Sequence, residues 1–120
     1  MIDPAQVVSI HPYFKVHPGQ MDTFKALLTE FIARTAGETG NLYYDFTIHD
    51  DVVFCREAYV GAEGLLTHLT NVGATVQSAL QISDLLRVEV HGAAAELEKL
   101  KGPLADLKPT WFAFQCGVRR

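Results

Sequence analysis

Apolar and polar positions alternate from the start of the chain. In residues 7–16, Val8, Ile10, Phe14 and Val16 share one face, while Val7, Ser9, His11, Tyr13 and Lys15 share the other, which predicts a strand. Pro12 has no amide proton to give a ladder, so it marks an edge, a bulge or a local break. After a turn at His17-Pro18-Gly19-Gln20 the period changes. Phe24, Leu27, Leu28, Phe31 and Ile32 stand at i, i+3, i+4, i+7 and i+8, the buried stripe of a helix over about 20–35 that Gly37 and Gly40 end. Residues 41–49 and 52–60 alternate again around His49-Asp50-Asp51, a hairpin. No Asn-Gly pair pins its register, and a slip of one residue moves Glu57 to the other face, so that face stays open. Leu65, Leu66, Leu69, Val72, Val76 and Leu80 predict a helix over 62–81, with Gly73 expected to kink or split it. A strand over 85–91 follows, then a short helix over 93–101 with Leu97 and Leu100 inward, ended by Gly102-Pro103. Residues 110–118 read as a last strand, with Phe112, Phe114, Cys116 and Val118 as its apolar face.

Strand, helix, strand, strand, helix, strand is the ferredoxin-like βαββαβ order, so the fold class is α+β. The expected architecture is one domain over residues 1–120. Its core, about 7–91, is an antiparallel sheet of order 4-1-3-2 with helices on one face, and residues 92–120 add a C-terminal helix and strand. The uncovered face carries tyrosines, histidines and apolar groups, and a bare apolar face calls for a partner. The expected partner is a second copy of the chain, a homodimer to which residues 110–118 contribute.

Composition narrows the function classes. Hydrophobic residues make up 48% and charged residues 20%, which suits a packed core rather than a disordered tail. Net charge is -4 with scattered basic residues, so no nucleic-acid partner is expected. No apolar run reaches about 18 residues, and the opening Met1-Ile2-Asp3-Pro4-Ala5-Gln6 lacks a basic region followed by an apolar run. Neither a membrane span nor a secretory leader is expected. Cys55 and Cys116, both in apolar runs, read as buried free thiols, and the cytoplasm is the expected compartment. No phosphate-binding glycine loop is present, so no nucleotide or flavin cofactor is expected. His11, His49 and His91 make no tight pair with a carboxylate, so no metal site is expected.

Several side chains have chemistry to offer, each beside a structural role. Glu57 in mid-strand is costly to bury unless it is paired, with Arg56, Arg87 or His68 as available partners. His68 has the pKa range for proton transfer near neutrality, yet packing could equally explain it. Tyr13, Tyr43, Tyr44, Tyr59, Phe14, Phe46 and Phe54 could line a slot for a flat aromatic ligand or fill a core or dimer interface. Strand order 4-1-3-2 gathers His11, Tyr13, Arg87 and Glu89 on the open face, as a ligand site or as an interface network of ion pairs.

Three motifs occur in order. Val16-His17-Pro18-Gly19 with Phe24 resembles a "K-P-G…F" helix entry. Glu38-Thr39-Gly40-Asn41-Leu42-Tyr43-Tyr44 resembles "E-x-G-x-L-x-Y". Glu57-Ala58-Tyr59, with Glu63 to Leu66 and His68, resembles "E-x-W/Y…A-L-x-x-H". Together they resemble the antibiotic biosynthesis monooxygenase-like domain of the dimeric α+β barrel superfamily, over about residues 7–91. The resemblance implies a homodimer. It also implies a choice among cofactor-free oxidation of aromatic polyketides or quinols, haem degradation, and no catalysis. Haem-degrading relatives carry a tryptophan close to the histidine near the second helix, whereas Trp111 stands in the last strand. The implied enzyme is a cofactor-independent monooxygenase with His68 as base, Glu57 as orienting group and Tyr44 as substrate contact. His11, Tyr13, Arg87 and Phe46 are its further ligand contacts. The alternative is a non-catalytic homodimeric module that binds a small ligand or serves in stress.

Overall fold

Val8, Ile10, Pro12, Phe14 and Val16 are all buried, so the first alternating run has one face under cover along its whole length. It forms strand β1, Val7–Val16, in a computed structural model that describes residues 2–120; Met1 of the opening segment lies outside the described residues. The next elements are helix α1 (Met21–Thr35), strands β2 (Asn41–His49) and β3 (Val52–Val60), helix α2 (Gly61–Gln81) and strand β4 (Ser83–Gly92). A short helix α3 (Ala94–Leu100), a 3-10 turn at 105–107 and strand β5 (Thr110–Ala113) complete the chain. The sheet order is β2-β3-β1-β4-β5, antiparallel except for the parallel β4–β5 pair. β1 is therefore an interior strand. Pro12 marks a local break: pairing with β3 skips from Ile10 to Tyr13, and a bulge follows on the β4 side between Tyr13 and Phe14.

All three helices cover one face. Leu65 of α2 and Leu97 and Leu100 of α3 pack on Val8, Val88 and Val90, while Phe24 and Phe31 of α1 meet Phe14, Val53 and Val72. Each such side chain contributes roughly 1.5–3 kcal/mol of burial. The stripe on α1 is narrower than its spacing predicts. Ile32 is 44% exposed, bordering a shallow groove beside the edge strand β2 instead of the core.

The hairpin register pairs Tyr44 with Glu57 and Phe46 with Cys55, around a turn in which Asp50 has φ 51°. That register turns Cys55, Glu57 and Tyr59 toward the helices. Gly61, with φ 67°, makes the sharp passage from β3 into α2, and Glu96 of α3 accepts from the Ala62 amide at 2.9 Å to cap it. α2 runs through Gly73 as one helix, so the split expected there does not occur. Val72, Thr75 and Ala79 are buried on either side of it, and this packing outweighs the roughly 1 kcal/mol that a mid-helix glycine costs. A Cβ on Gly64 would stand 3.1 Å from the Gly40 carbonyl oxygen, so this glycine lets α2 lie against the connection between α1 and β2.

The C-terminal extension departs from the predicted strand over 110–118. β5 ends at Ala113, because its partner β4 ends at Gly92. The Phe114 amide makes one last bond to the Gly92 carbonyl, at 2.8 Å. Beyond it the apolar face predicted from Phe112 to Val118 does not form. Cys116, expected to be buried, is exposed, as is Val118; Cys55 is buried as expected.

Candidate functional site

Three segments converge beneath the helices. β3 presents Cys55, Glu57 and Tyr59 at alternate positions, α2 lays His68 across them, and the connection after α1 adds Glu38. Nδ1 of His68 lies 2.8 Å from Glu38 Oε2, and Nε2 lies 3.3 Å from Glu57 Oε1. The Tyr59 hydroxyl donates to the same Glu57 oxygen at 2.6 Å. Asn71, nearly one turn beyond His68, donates to Glu38 Oε2 at 2.8 Å and to the Arg34 carbonyl at 2.9 Å. The side chains of His68, Glu38 and Glu57 are 2%, 6% and 6% exposed, so two carboxyl groups flank one imidazole out of water. Tyr44 and Tyr59 close on the imidazole, with ring centres 5.1 Å and 4.8 Å away.

Burial dominates the electrostatics. It pushes the Glu57 carboxyl up to about 7, against the opposing hydrogen bonds from Tyr59 and Cys55, and the nearby Glu38 adds to the rise. Burial lowers the pKa of His68, which the Glu38 carboxylate partly offsets. Desolvation, then the Glu57 charge, raises the Tyr44 and Tyr59 hydroxyls and the Cys55 thiol, which stay protonated donors. A carboxyl raised in this way lies in the range where it can serve as either acid or base near neutral pH.

Glu57, His68 and Tyr44 open onto a cavity of about 60 Å³ between sheet and helices, whose other walls are apolar, among them Ile10, Phe14, Leu69 and Val72. An apolar cavity of about 150 Å³ accepts benzene, so this one as it stands takes only part of a ring. Among the described residues, no group of three or more His, Cys, Asp or Glu side chains is arranged to hold a metal ion, and no helix is long and apolar enough to cross a membrane.

No protein-family model matches the chain, and no curated protein does. Solved structures do. MupZ from Pseudomonas fluorescens is 38% identical and superposes with a TM-score of 0.91, over 96% of this chain and 95% of that one. SnoaB, a cofactor-independent oxygenase from Streptomyces nogalater, gives a TM-score of 0.64 at 15% identity, over 75% and 95%. A Caulobacter crescentus protein provisionally assigned to the antibiotic biosynthesis monooxygenases gives 0.63 at 19% identity, over 72% and 89%. The chain is a relative of MupZ and has the fold of the antibiotic biosynthesis monooxygenase-like domains. The likeness to SnoaB and to the Caulobacter protein is one of fold.

In this fold the seven residues singled out from sequence fall into two groups. Glu57, His68, Tyr44 and Phe46 meet at the cavity. His11, Tyr13 and Arg87 do not join them, because strand alternation sends them to the uncovered face. There His11 pairs across from Glu89 and Tyr13 from Arg87, Arg87 bonds to Glu89, and His11 packs on Phe54 and His91. The sequence reading left Glu38 and Asn71 out of the site. Asn71 had a signal, since it and His68 interrupt the apolar stripe of α2 at i and i+3 between Leu65 and Val72. Glu38 stood inside a recognised motif, but nothing local shows that its side chain turns inward.

Proposed function

We propose that this monooxygenase-like domain is a cofactor-independent acid–base catalyst that oxidises a small phenolic or quinol-type molecule. The carrying observation is Glu57, a carboxyl buried on the wall of an apolar cavity 3.3 Å from His68, where burial pushes its pKa up to about 7. Both nitrogens of His68 face carboxyl groups, which supports Glu57 as the base and His68 as its partner, the reverse of the roles that the resemblance implied. Glu57 removes a proton from the ligand, and the ligand anion supplies the electrons to dioxygen. For a ring CH2 group, one oxygen atom becomes the new carbonyl and the other leaves as water with the two hydrogens, so no cofactor enters the balance. The reading requires the cavity walls to part to admit the ring. The reading also pairs two copies through the open sheet face, where Tyr13, Phe54 and Phe112 cluster with His11 and His91.

Oxygen uptake by metal-stripped protein, measured across hydroquinones, naphthoquinols and anthrones, tests the reading. Glu57→Gln should cut uptake by roughly 10²–10⁴-fold. No uptake above that variant with any substrate would overturn it. A small, largely apolar cavity also favours a second reading, a module that holds a ligand without turning it over. Native mass spectrometry would then find a small molecule retained and unchanged.

A further inference from the structure

The array has a second end. On the side away from the cavity, Glu38 and Asn71 border a shallow surface depression with Arg34, Thr39, Thr67 and Thr70, where the end of α1 meets α2. Glu38 therefore stands between outside water and His68, and His68 stands between Glu38 and Glu57. Glu38 Oε1 is buried with no hydrogen-bond partner, while Oε2 takes both the imidazole and the Asn71 amide. Oε1 thus has no protein group competing with water or a proton for it, and a carboxylate oxygen can accept either.

We propose that Glu57, His68 and Glu38 form a proton conduit from the cavity to this depression, with Glu38 the member that exchanges with water; the proposal rests on the acid–base reading of Glu57. In the outward direction, Glu57 passes the proton taken from the ligand to Nε2 of His68, and the proton on Nδ1 moves to Glu38. The return runs the same hops in reverse, delivering the proton for the departing water, so His68 recovers its tautomer without turning its ring. The other groups facing His68 offer no exit. Tyr44 on β2 and Cys55 and Tyr59 on β3 are weak acids that burial makes weaker, and Asn71 on α2 does not titrate. Arg34 contributes only its backbone carbonyl, through Asn71. Glu38 is a positioning residue here: it acts through His68 and does not touch the ligand.

Nitrogen-15 NMR of the full-length protein tests this without any substrate. The ring N–H of His68 should exchange with water about 100-fold faster than the amides of Leu69 and Val72, which open only with their helix. Glu38→Gln keeps an oxygen for the imidazole but cannot take up its proton, and it should slow the ring exchange by about tenfold or more. A ring proton as slow as the helix amides in the unmodified protein overturns the conduit, whether or not the variant folds. So does an exchange rate that Glu38→Gln leaves unchanged. A fast ring proton without oxygen uptake removes the oxidation reading alone, and uptake with a slow ring proton removes the conduit alone.

Discussion

The two faces of the sheet carry the same kinds of side chain and treat them differently. On the open face, His11 and His91 stand with Glu89, and Arg56 and Arg87 supply positive charge; Arg87 bonds Glu89 directly. Beneath the helices, His68 stands with Glu38 and Glu57, and among the described residues no Lys or Arg side chain pairs with either glutamate. The open face can meet its charge with a guanidinium. The covered face can meet it only by holding a proton, and on the proposed reading that difference, more than residue type, is what suits one cluster to acid–base work.

Removing the imidazole breaks this comparison most severely. His68→Ala leaves two buried carboxyl groups without their shared partner, and stability should fall by about 3–5 kcal/mol in urea unfolding near neutral pH. His11→Ala removes a half-buried ring on the open face and should cost about 1 kcal/mol or less as a monomer. Equal losses for the two variants would show that the covered array has no special energetic standing.

The second effect is pH dependence. The Glu57 carboxyl rises from 4.5 to about 7 on folding, so the folded chain binds its proton more tightly than the unfolded chain. Its contribution is complete below 4.5 and is lost as pH climbs to about 7, a fall of about 3 kcal/mol. His68, lowered on folding, acts in the opposite sense, with stability rising as pH passes from its folded value to 6.5. Glu57→Gln isolates the first contribution. The variant should gain about 3 kcal/mol on the unmodified protein between about pH 4 and pH 8. A constant difference across that range would mean that Glu57 titrates normally.

The covered core was more legible than the array within it. Alternation in β1 and the stripe of α2 are decided by water alone, and both stand where their periods put them. Glu57 needed more. Its face depends on the Tyr44–Glu57 register, set by a turn through Asp50 in a left-handed conformation, which no Asn-Gly signal announces. Glu38 depends on how closely Gly64 lets α2 approach Gly40, a contact between segments far apart in sequence. Gly73 and Cys116 misled for one reason: a local propensity says nothing about whether packing continues past it, as it does at Gly73, or runs out, as it does beyond Phe114.

The open face yields a third test. If two copies pair there, Phe54→Lys sets a charge among Tyr13 and His11 and should raise the dimer dissociation constant by about 100-fold, read by analytical ultracentrifugation. The ring exchange of His68 should not change, because the sheet separates the two clusters. A full-length chain sedimenting as a monomer at micromolar concentration would remove the pairing. Ending the chain after Phe114 should leave the pairing intact, since among the described residues no backbone bond to the sheet is made beyond Phe114.

The smallest effect is the sharpest on charge. Arg34 is the cation tied most directly to the array, because its carbonyl anchors Asn71, which in turn holds Glu38. Its guanidinium bonds instead to Glu30, one turn back on the exposed side of α1, at 3.3 Å with both side chains 46% exposed. A pair so exposed is worth about 0.5 kcal/mol or less. Arg34→Ala deletes the guanidinium and keeps the carbonyl, so stability should change by no more than that amount. The pH dependence assigned to Glu57 should stay as it was. If the substitution instead moves that pH dependence, the guanidinium has been balancing the buried carboxyl groups through space. The covered face would then meet its charge with a cation after all, and the contrast between the faces would reduce to one of burial.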